Sequence, residues 1–485
     1  DELARFLIEK LGKDIASHVT VAGPGFVNIM LAREAVTLAV TEADAKGGEW
    51  GKGNENIGKK VMVEYTDPNP FKEMHIGHLM TNVIGESIAR LFEAESADVK
   101  RANYQGDVGL HVAKAIWGKQ QKPEISWGEA YVWGSEQYET HKEETDALNK
   151  AIYEKSDPAV NVLYEDGRAQ SLEHFEKIYQ MLGTKFAFYF FESEVGPIGL
   201  EIVKNHPEIF EKSDGAVVFK GEPYGLHTRV FINSKGLSTY EAKELGLVEA
   251  KRQKGDFDIS LTITANEISE YFKVVRKAAE MIFPDLEGKM LVRFHGFLKL
   301  TTGKMSSRKG SVITAEKFIS DVTTQAGEKN ADPLIAEQVA LGAIKYMILR
   351  QAPGSDIIFD KEKSLSLEGD SGPYLQYALV RAKSVLAQAE EKGGAPATGA
   401  PESLYLLERI ILHFPEVVAR AARELAPNLL VNYLTELAGQ WNSFYAQERI
   451  IGSEHEAHKL MLARAFVNTM TNGLTVLGIP TPEKM

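Results

Sequence analysis

Two histidines three residues apart stand where they could bind phosphate. His75 and His78 lie in the stretch FKEMHIGHLM, which follows the apolar run KVMVEY and the loop TDPNP. This order predicts a strand, a loop and then a helix that begins near His75. A helix N-terminus attracts anions, and residues three apart share one helix face. The two imidazoles could therefore donate hydrogen bonds to a phosphate in a transition state. Alternatively, one histidine caps the helix and the other faces solvent.

A second stretch, TTGKMSSRKGSV at residues 301–312, is basic and carries glycines that could act as hinges. Taken alone, it is a typical solvated basic turn. Together with the histidine pair it favours cleavage of ATP at the α-phosphate, with Lys304 and Lys309 neutralising the departing pyrophosphate. Such a reaction depends on positioning and charge stabilisation, because side chains have little covalent work to do.

The elements that would position these residues predict an α/β fold. Strand signals alternate with amphipathic helices between residues 61 and 330, which is typical of a doubly wound parallel sheet. Charged helical stretches over about residues 115–215 indicate an insertion. After residue 330 strand signals vanish, and long helices predict a bundle broken by the flexible link EEKGGAPATGAPES. A chain of 485 residues is long enough for two to four domains.

Composition narrows the setting of the protein. The chain has no cysteine, which excludes disulfides and thiolate metal sites and indicates a reducing, cytoplasmic location. No apolar stretch reaches the roughly 18–20 residues that span a bilayer, so no membrane association is expected. The start, DELARFLIEK, is not a signal peptide, and it suggests a chain that begins inside a longer protein. The net charge of −13 leaves nucleic acid open as a partner, because a local basic face can still hold a polyanion.

The motifs HIGH and KMSSRKG resemble the two signature motifs of class I aminoacyl-tRNA synthetases. Four further stretches resemble the arginyl-tRNA synthetase family: VAGPGFVNI, VEYTDPNPFKEMHIGHL, GDSGPYLQYALVR and NGLTVLGIPTPEKM. The resemblance implies a Rossmann-like catalytic domain over residues 61–330, with the insertion contacting the tRNA acceptor end. It implies a helical anticodon-binding domain over 331–485. Residues 1–60 would be the remnant of an additional N-terminal domain plus a linker.

The resemblance also implies the activity: arginine is activated with ATP to arginyl-adenylate and transferred to the 3′ end of tRNA(Arg). Mg²⁺ would accompany ATP, without a metal site made by the protein alone, and the chain would be a monomer. Two alternatives stay open. One is a nucleotidyltransferase acting on a small molecule, which would not need the insertion and the helical C-terminal region. The other is a non-catalytic tRNA-binding relative, which would be expected to have lost the histidines or the loop lysines.

The resemblance assigns the chemical roles to residues of the two motifs. The catalytic residues would be His75, His78, Lys72, Lys304 and Lys309. ATP would be bound by His75, Gly77, His78, Lys304, Met305 and Ser306. Ser307 stands where the family motif has its second lysine, so Lys72 or Lys309 would have to supply the missing charge.

The same comparison gives a set of arginine-binding residues: Asn28, Glu64, Asn69, Tyr240, Glu244 and Glu267. Glu244 lies four residues after Tyr240, on the same face of a predicted helix, and would pair with the guanidinium. The family usually has aspartate at this position. Near Glu267 it usually has glutamine and histidine, so the contacts there depart from the family pattern, as they do at His111.

The C-terminal region shows no broad excess of basic residues. Its apolar stripes are typical of bundle core. Anticodon bases can instead be recognised by stacking on aromatic side chains and by hydrogen bonds to base edges. The candidates for such contacts are Tyr374, Gln376, Tyr377, Trp441 and Asn442, with Tyr445 nearby.

Overall fold

The structure is a computed structural model that describes residues 2–11, 14–23, 26–300, 313–393 and 399–485. The helices are α1 Glu2–Leu11, α2 Arg33–Lys46, α3 Ile76–Ala94, α4 Leu110–Gln121, α5 Trp127–Gln137, α6 Lys142–Glu154, α7 Pro158–Leu182, α8 Glu192–Asn205, α9 Tyr240–Lys254, α10 Ser269–Ile282, α11 Ala315–Gly327, α12 Pro333–Leu349, α13 Lys361–Ser364, α14 Gly372–Glu391, α15 Leu406–Leu412, α16 Phe414–Arg423, α17 Pro427–Gln447 and α18 Glu456–Val476. The strands are β1 Ala16–Ala22, β2 Phe26–Leu31, β3 Lys60–Glu64, β4 Asp98–Gln105, β5 Phe188–Phe191, β6 Glu211–Ser213, β7 Ala216–Phe219, β8 Arg229–Ile232, β9 Ile259–Ala265, β10 Met290–His295, β11 Leu298–Leu300 and β12 Ile357–Phe359.

The central sheet has five strands in the order β10-β9-β3-β4-β5, and every neighbouring pair is parallel. The chain starts in the middle at β3, moves outward through β4 to β5, and later returns to the other side of β3 with β9 and β10. The direction of winding therefore reverses between β3 and β9. In such sheets ligands bind outside the carboxyl ends of the strands at this switch point. The predicted α/β, doubly wound parallel sheet is confirmed.

Burial explains why β3 lies at the centre. Val61, Met62 and Val63 are all buried, as expected for a parallel strand covered on both faces. On one side the cover is α3, whose apolar face joins a core that continues into the C-terminal helices. Helix α12 carries that core onward, because it is buried on nearly all sides from Val339 to Leu349.

Part of the predicted insertion belongs to the central sheet. Helices α4 to α7 form a helical unit, but β5 then pairs in parallel with β4, with Phe188 opposite Ala102. The region of residues 115–215 is therefore not one continuous insertion. Beyond α8, strands β6, β7 and β8 form a separate antiparallel sheet. The four-residue run FYFF is too short to distinguish a sheet strand from a buried helix segment by pattern.

The prediction that no strand follows residue 330 is also wrong. β12 pairs in parallel with β11, joining Leu298 to Ile357. Within the stretch HVTVAGPGFVNIML, β1 and β2 pair as antiparallel strands, and Gly23 after β1 has a φ of 56°. Within the described ranges, no helix has the length and apolar character needed to cross a membrane.

Candidate active site

The loop between β3 and α3 has an unusual backbone. Thr66, Asp67 and Phe71 have φ values of 82°, 49° and 70°, in the left-handed region that side chains other than glycine rarely adopt. Hydrogen bonds hold this conformation: Tyr104 N donates to Asp67 Oδ1 at 2.8 Å, and Phe71 N donates to Ser171 Oγ at 2.9 Å. Strain fixed in this way is typical of functional sites. It places the start of α3 at the carboxyl edge of the sheet.

His75 and His78 occupy this start. His75 is the N-cap of α3, and its Nδ1 accepts a hydrogen bond from Gly77 N at 3.0 Å. His75 N donates to His78 Nδ1 at 3.1 Å, which closes a reciprocal capping arrangement. Because each Nδ1 accepts, we assign the proton of each neutral ring to Nε2. Two Nε2–H donors are then available for an anion.

The charge state of the two rings follows from their surroundings. Desolvation and the Lys72 ammonium lower the pKa of His75. Burial lowers the pKa of His78 well below its usual value, and His75 and Lys72 lower it further. Both rings are therefore neutral donors near pH 7. Gly77 is also required here, because a Cβ at this position would lie 2.8 Å from Cε1 of the His75 ring.

A cavity of about 1140 Å³ opens beside this site. Its walls come from the helices α4 to α7 on one side and from α8 and the start of α9 on the other. Lys72 lines it, with its Nζ 4.8 Å from the centre of the Tyr131 ring, and His111 and Tyr240 line it as well. A space of this size exceeds what a single amino acid needs, and it falls at the upper end of small-molecule sites.

Acidic side chains form a buried cluster at the end of β3, which we call the acid pocket. Glu64 and Lys251 form a buried ion pair, with Lys251 Nζ 2.6 Å from Glu64 Oε2. Burial and the charge of Glu64 raise the pKa of Glu244 to about 8. Burial and Glu64 likewise raise the pKa of Asp67 well above its usual value. The pocket therefore holds more carboxyl groups than it has cations, which suits a cationic substrate group.

The rim of this pocket is also polar. Tyr240 is 68% exposed at the start of α9, and Lys243 one turn later forms a buried ion pair with Glu192 at 2.6 Å. Asn69 packs against Gly106: a Cβ on that glycine would lie 2.3 Å from Asn69 Oδ1. The glycine in the loop after β4 thus makes room for the asparagine side chain.

The structure brings together some of the arginine-site candidates and separates others. Glu244 lies near Glu64 at the end of β3, and Asn69 lies against Gly106 after β4. Among the described residues, Tyr240 is the one arginine-site candidate that lines the cavity. Asn28 lies on the exposed hairpin opposite Thr20, and it is not among the described residues that line the cavity. Glu267 is exposed in the single helical turn Asn266–Ile268 after β9. Lys304, Met305, Ser306 and Lys309 lie outside the described residues.

Two of the predicted tRNA contacts are wrong. Trp441 is fully buried and stacks on Phe466, with ring centroids 4.7 Å apart. Gln376 is fully buried as well, and its Nε2 donates to Gln338 O and Pro480 O at 3.0 and 2.8 Å. Both side chains hold the bundle together, so neither presents a face to RNA.

The remaining candidates lie at the surface of the bundle. Tyr374, Tyr377 and Asn442 are partly exposed. Arg381 links two of them: its guanidinium donates to Asn442 Oδ1 at 3.2 Å and to Tyr377 Oη at 3.0 Å. It also lies over the Tyr377 and Tyr445 rings, 4.7 and 5.2 Å from their centroids. This cluster on α14 and α17 has the aromatic and cationic character that stacking of bases requires.

Sequence reasoning missed the basic residues of the acid pocket. Lys251 follows Glu244 by seven residues, which places both on one face of α9, and this spacing is a signal that the sequence does contain. Lys243 and Glu192 gave no such signal. Their pairing depends on how α8 packs against α9, where Gly199 faces the backbone of Ala242 at a distance that leaves no room for a Cβ.

Comparison with known families agrees with this geometry. The family described as "tRNA synthetases class I (R), catalytic domain" matches residues 40–361, and the "DALR anticodon binding domain" matches residues 375–485. A doubly wound sheet with a histidine pair at its switch point, followed by a helical bundle, is therefore the architecture of a class I tRNA synthetase. Because the catalytic match spans more than half of the chain, the chain belongs to the arginyl-tRNA synthetase family of that class.

Individual relatives support the same assignment. The arginine–tRNA ligase of Borrelia turicatae (strain 91E135) is 28% identical over 522 residues, covering 99% of this chain and 89% of the relative. Arginyl-tRNA synthetase of Thermus thermophilus superposes with a TM-score of 0.83 at 23% identity, covering 100% of this chain and 91% of that one. The Plasmodium falciparum enzyme superposes with a TM-score of 0.80 at 20% identity, covering 100% and 89%. At these identities the two structures establish the fold.

Proposed function

We propose that this cleft joins arginine to tRNA(Arg) in two steps. In the first, the carboxylate of arginine attacks the α-phosphate of ATP, a P–O bond forms to arginine, and the bond to pyrophosphate breaks. In the second, a ribose hydroxyl at the tRNA 3′ end attacks the adenylate carbonyl and AMP leaves. The observation that carries the proposal is the pair of Nε2–H donors on His75 and His78, placed at the switch point beside a pocket of carboxylates.

The histidines would stabilise the α-phosphate as negative charge develops on its oxygens. They are neutral and pre-oriented by the helix cap, so no reorganisation is needed during the reaction. Lys72 would neutralise charge on the phosphates from the cavity side, and Lys304 and Lys309 would do so from the loop motif. Met305 and Ser306, with Gly77, would complete the ATP site.

Mg²⁺ would enter with ATP, bound by phosphate oxygens and water. Among the residues that the structure describes, no group of three or more His, Asp or Glu side chains could hold a metal ion. We assign no step to Mg²⁺. The steps assigned to this chain are binding, orientation and charge stabilisation.

The arginine subsite would be the acid pocket. Glu244 would take the guanidinium, with Tyr240 beside it at the rim and Glu64 on the far side. Asn69 would bind the amino acid from the loop after β3. Asn28 and Glu267 are exposed, so they would reach the substrate only after the hairpin and the turn after β9 move inward.

The tRNA would contact two surfaces. The helical unit α4 to α7 carries aromatic rings paired with ammonium groups, such as Lys114 at 4.1 Å from the Tyr138 ring centre and Lys122 at 4.2 Å from the Trp133 ring centre. Such pairs suit a single-stranded 3′ end. The Tyr377–Arg381–Asn442 cluster would contact the anticodon. The proposal takes the enzyme as a cytoplasmic monomer whose catalytic unit precedes its anticodon-binding unit.

Exchange of labelled pyrophosphate into ATP tests the first step. The purified chain is assayed with each of the twenty amino acids, with and without tRNA(Arg). Of the twenty amino acids, we expect only arginine to support exchange. A parallel assay should show charging of tRNA(Arg) with arginine. Exchange supported by a different amino acid, or adenylylation of another small molecule without any amino acid, would replace the proposal with one of its alternatives.

A further inference from the structure

The ion pair between Lys251 and Glu64 lies inside the pocket proposed for the substrate guanidinium. Both side chains are almost completely buried, with relative exposures of 6% and 3%. Glu64 ends β3, and Lys251 comes from the last turns of α9, which packs against that end of the sheet. A cation of the protein thus already contacts a carboxylate that would bind a cationic substrate.

The other charged and titratable groups around Glu64 come from every neighbouring element. Asp67 lies in the loop after β3, Tyr104 on β4, Glu244 on α9 and Tyr271 on α10. Each of these groups has its pKa raised by the charge of Glu64, in addition to burial. Lys251 is the one cation among them in the described residues, and it lowers the pKa of both Asp67 and Glu244.

A buried carboxylate without a cation takes up a proton, because burial disfavours its charged form. Glu64 has the carboxyl groups of Glu244 and Asp67 as neighbours. Lys251 is the cation that contacts it. Its contact uses Glu64 Oε2, so the ion pair leaves Oε1 for a second cation. A carboxylate can accept hydrogen bonds on both oxygens, so the two cations need not exclude each other.

We propose that Lys251 is a positioning residue for arginine, which keeps Glu64 ionised and oriented before arginine binds, so that the guanidinium meets a preformed carboxylate. This inference rests on the proposed function and deepens it. Lys251 does not touch the reacting atoms. It sets the number of negative charges that the pocket offers, and so favours a singly charged cation.

The test compares Lys251→Met and Lys251→Arg with the wild type. In aminoacylation of tRNA(Arg), the arginine KM, the ATP KM and kcat are measured from pH 6 to pH 9. In the Lys251→Met variant Glu64 has no cation beside it, and a protonated carboxyl cannot pair with the guanidinium. We therefore expect Lys251→Met to raise the arginine KM by about 10-fold to 100-fold at pH 7, with kcat and the ATP KM within about threefold.

Two readouts separate positioning from simple packing. The arginine KM of Lys251→Met falls with rising pH more steeply than that of the wild type, because Glu64 regains its charge. Lys251→Arg restores the wild-type KM within about threefold, since it retains the cation. Lys254→Met is the matched control: it removes an exposed lysine from the same helix and leaves every parameter unchanged. A KM that rises equally at all pH values in Lys251→Met would overturn the inference.

A second pair of variants covers the case in which Lys251→Met fails to fold. Glu64→Gln and the double variant Glu64→Gln, Lys251→Met remove one or both charges. Because Lys251 acts through Glu64, its removal from the Glu64→Gln background does not raise the arginine KM further. It lowers that KM, since the ammonium left without a partner repels the guanidinium. A further increase in the double variant, or an arginine KM below that of the wild type in Lys251→Met, would contradict the proposal. Absence of arginine-dependent activity in the wild type would instead refute the proposed function itself.

Discussion

The imidazole rings of His75 and His78 stack in parallel, with their centroids 3.6 Å apart and their planes at 19°. The two Nδ1 atoms are occupied by backbone N–H groups at the start of α3. Sequence analysis offered helix capping and phosphate binding as alternatives. The geometry shows that capping fixes the very tautomer that phosphate binding requires, because Nε2–H is left on both rings.

The first prediction concerns this pair. His75→Ala or His78→Ala should lower the rate of adenylate formation by about 10²–10³, the usual loss for one preorganised charge-stabilising donor. The turnover number should fall more than the arginine affinity, because the contact strengthens in the transition state. Single-turnover adenylate formation measures this directly.

His75→Asn separates the two roles of the first histidine. Asparagine is a good N-cap, so this variant should have the melting temperature of the wild type. His75→Ala should melt at a lower temperature, because loss of an N-cap costs about 1 kcal/mol of folding free energy. Its adenylate formation should nevertheless be as slow as that of His75→Ala. Recovery of both properties in His75→Asn would show that capping alone is needed.

The second prediction concerns Glu244, whose pKa burial and Glu64 raise to about 8. The carboxyl group holds a proton below about pH 8 before arginine binds, and the guanidinium requires the ionised form. Arginine affinity should therefore increase as the pH rises from 6 to 8. Glu244→Gln should weaken binding by about 1.5–3 kcal/mol at pH 8 and flatten this increase. Isothermal titration with arginine across the pH range measures both effects.

The same pKa gives the sign of a stability effect. Between the usual carboxyl pKa of 4.5 and about 8, the unfolded chain has Glu244 ionised while the folded chain keeps it protonated. The contribution of this group to stability therefore decreases as the pH rises through that window. Relative to the wild type, Glu244→Gln should gain melting temperature between pH 5 and pH 8. A constant difference over that range would place the pKa elsewhere.

These residues show how far the sequence alone could lead. The strand, the loop and the capped helix around His75 are determined by residues that are neighbours in the sequence. The sequence pattern can therefore predict them. Trp441 and Tyr377 are both aromatic residues on bundle helices, and no local signal says that the first is buried against Phe466 while the second faces outward beside Arg381. The Lys251–Glu64 pair is likewise created by packing of α9 on β3. Residues 187 positions apart can meet only through the tertiary fold.

The third prediction concerns the anticodon surface. Tyr377→Ala or Arg381→Ala should weaken tRNA(Arg) binding by about 1–3 kcal/mol, the range for loss of one stacked base, with the arginine KM unchanged. Trp441→Phe is the matched control, because it keeps an aromatic ring against Phe466 and should leave tRNA affinity unchanged. Fluorescence titration of labelled tRNA measures the affinities. Full tRNA affinity in both surface variants would move the contact away from this cluster.

The last prediction concerns the charge that the loop motif lacks. Lys72 lines the cavity close enough to lower the pKa of both His75 and His78, so its ammonium would reach phosphates bound by these histidines. Lys72→Met should therefore slow adenylate formation by about 10²-fold. Ser307 stands where the family motif has a lysine. Ser307→Lys in the Lys72→Met background should therefore raise the rate of adenylate formation by at least about tenfold. Ser307→Met in the same background adds length without charge and should restore nothing. If Lys72→Met is fully active and Lys309→Met is not, the loop supplies the missing charge by itself.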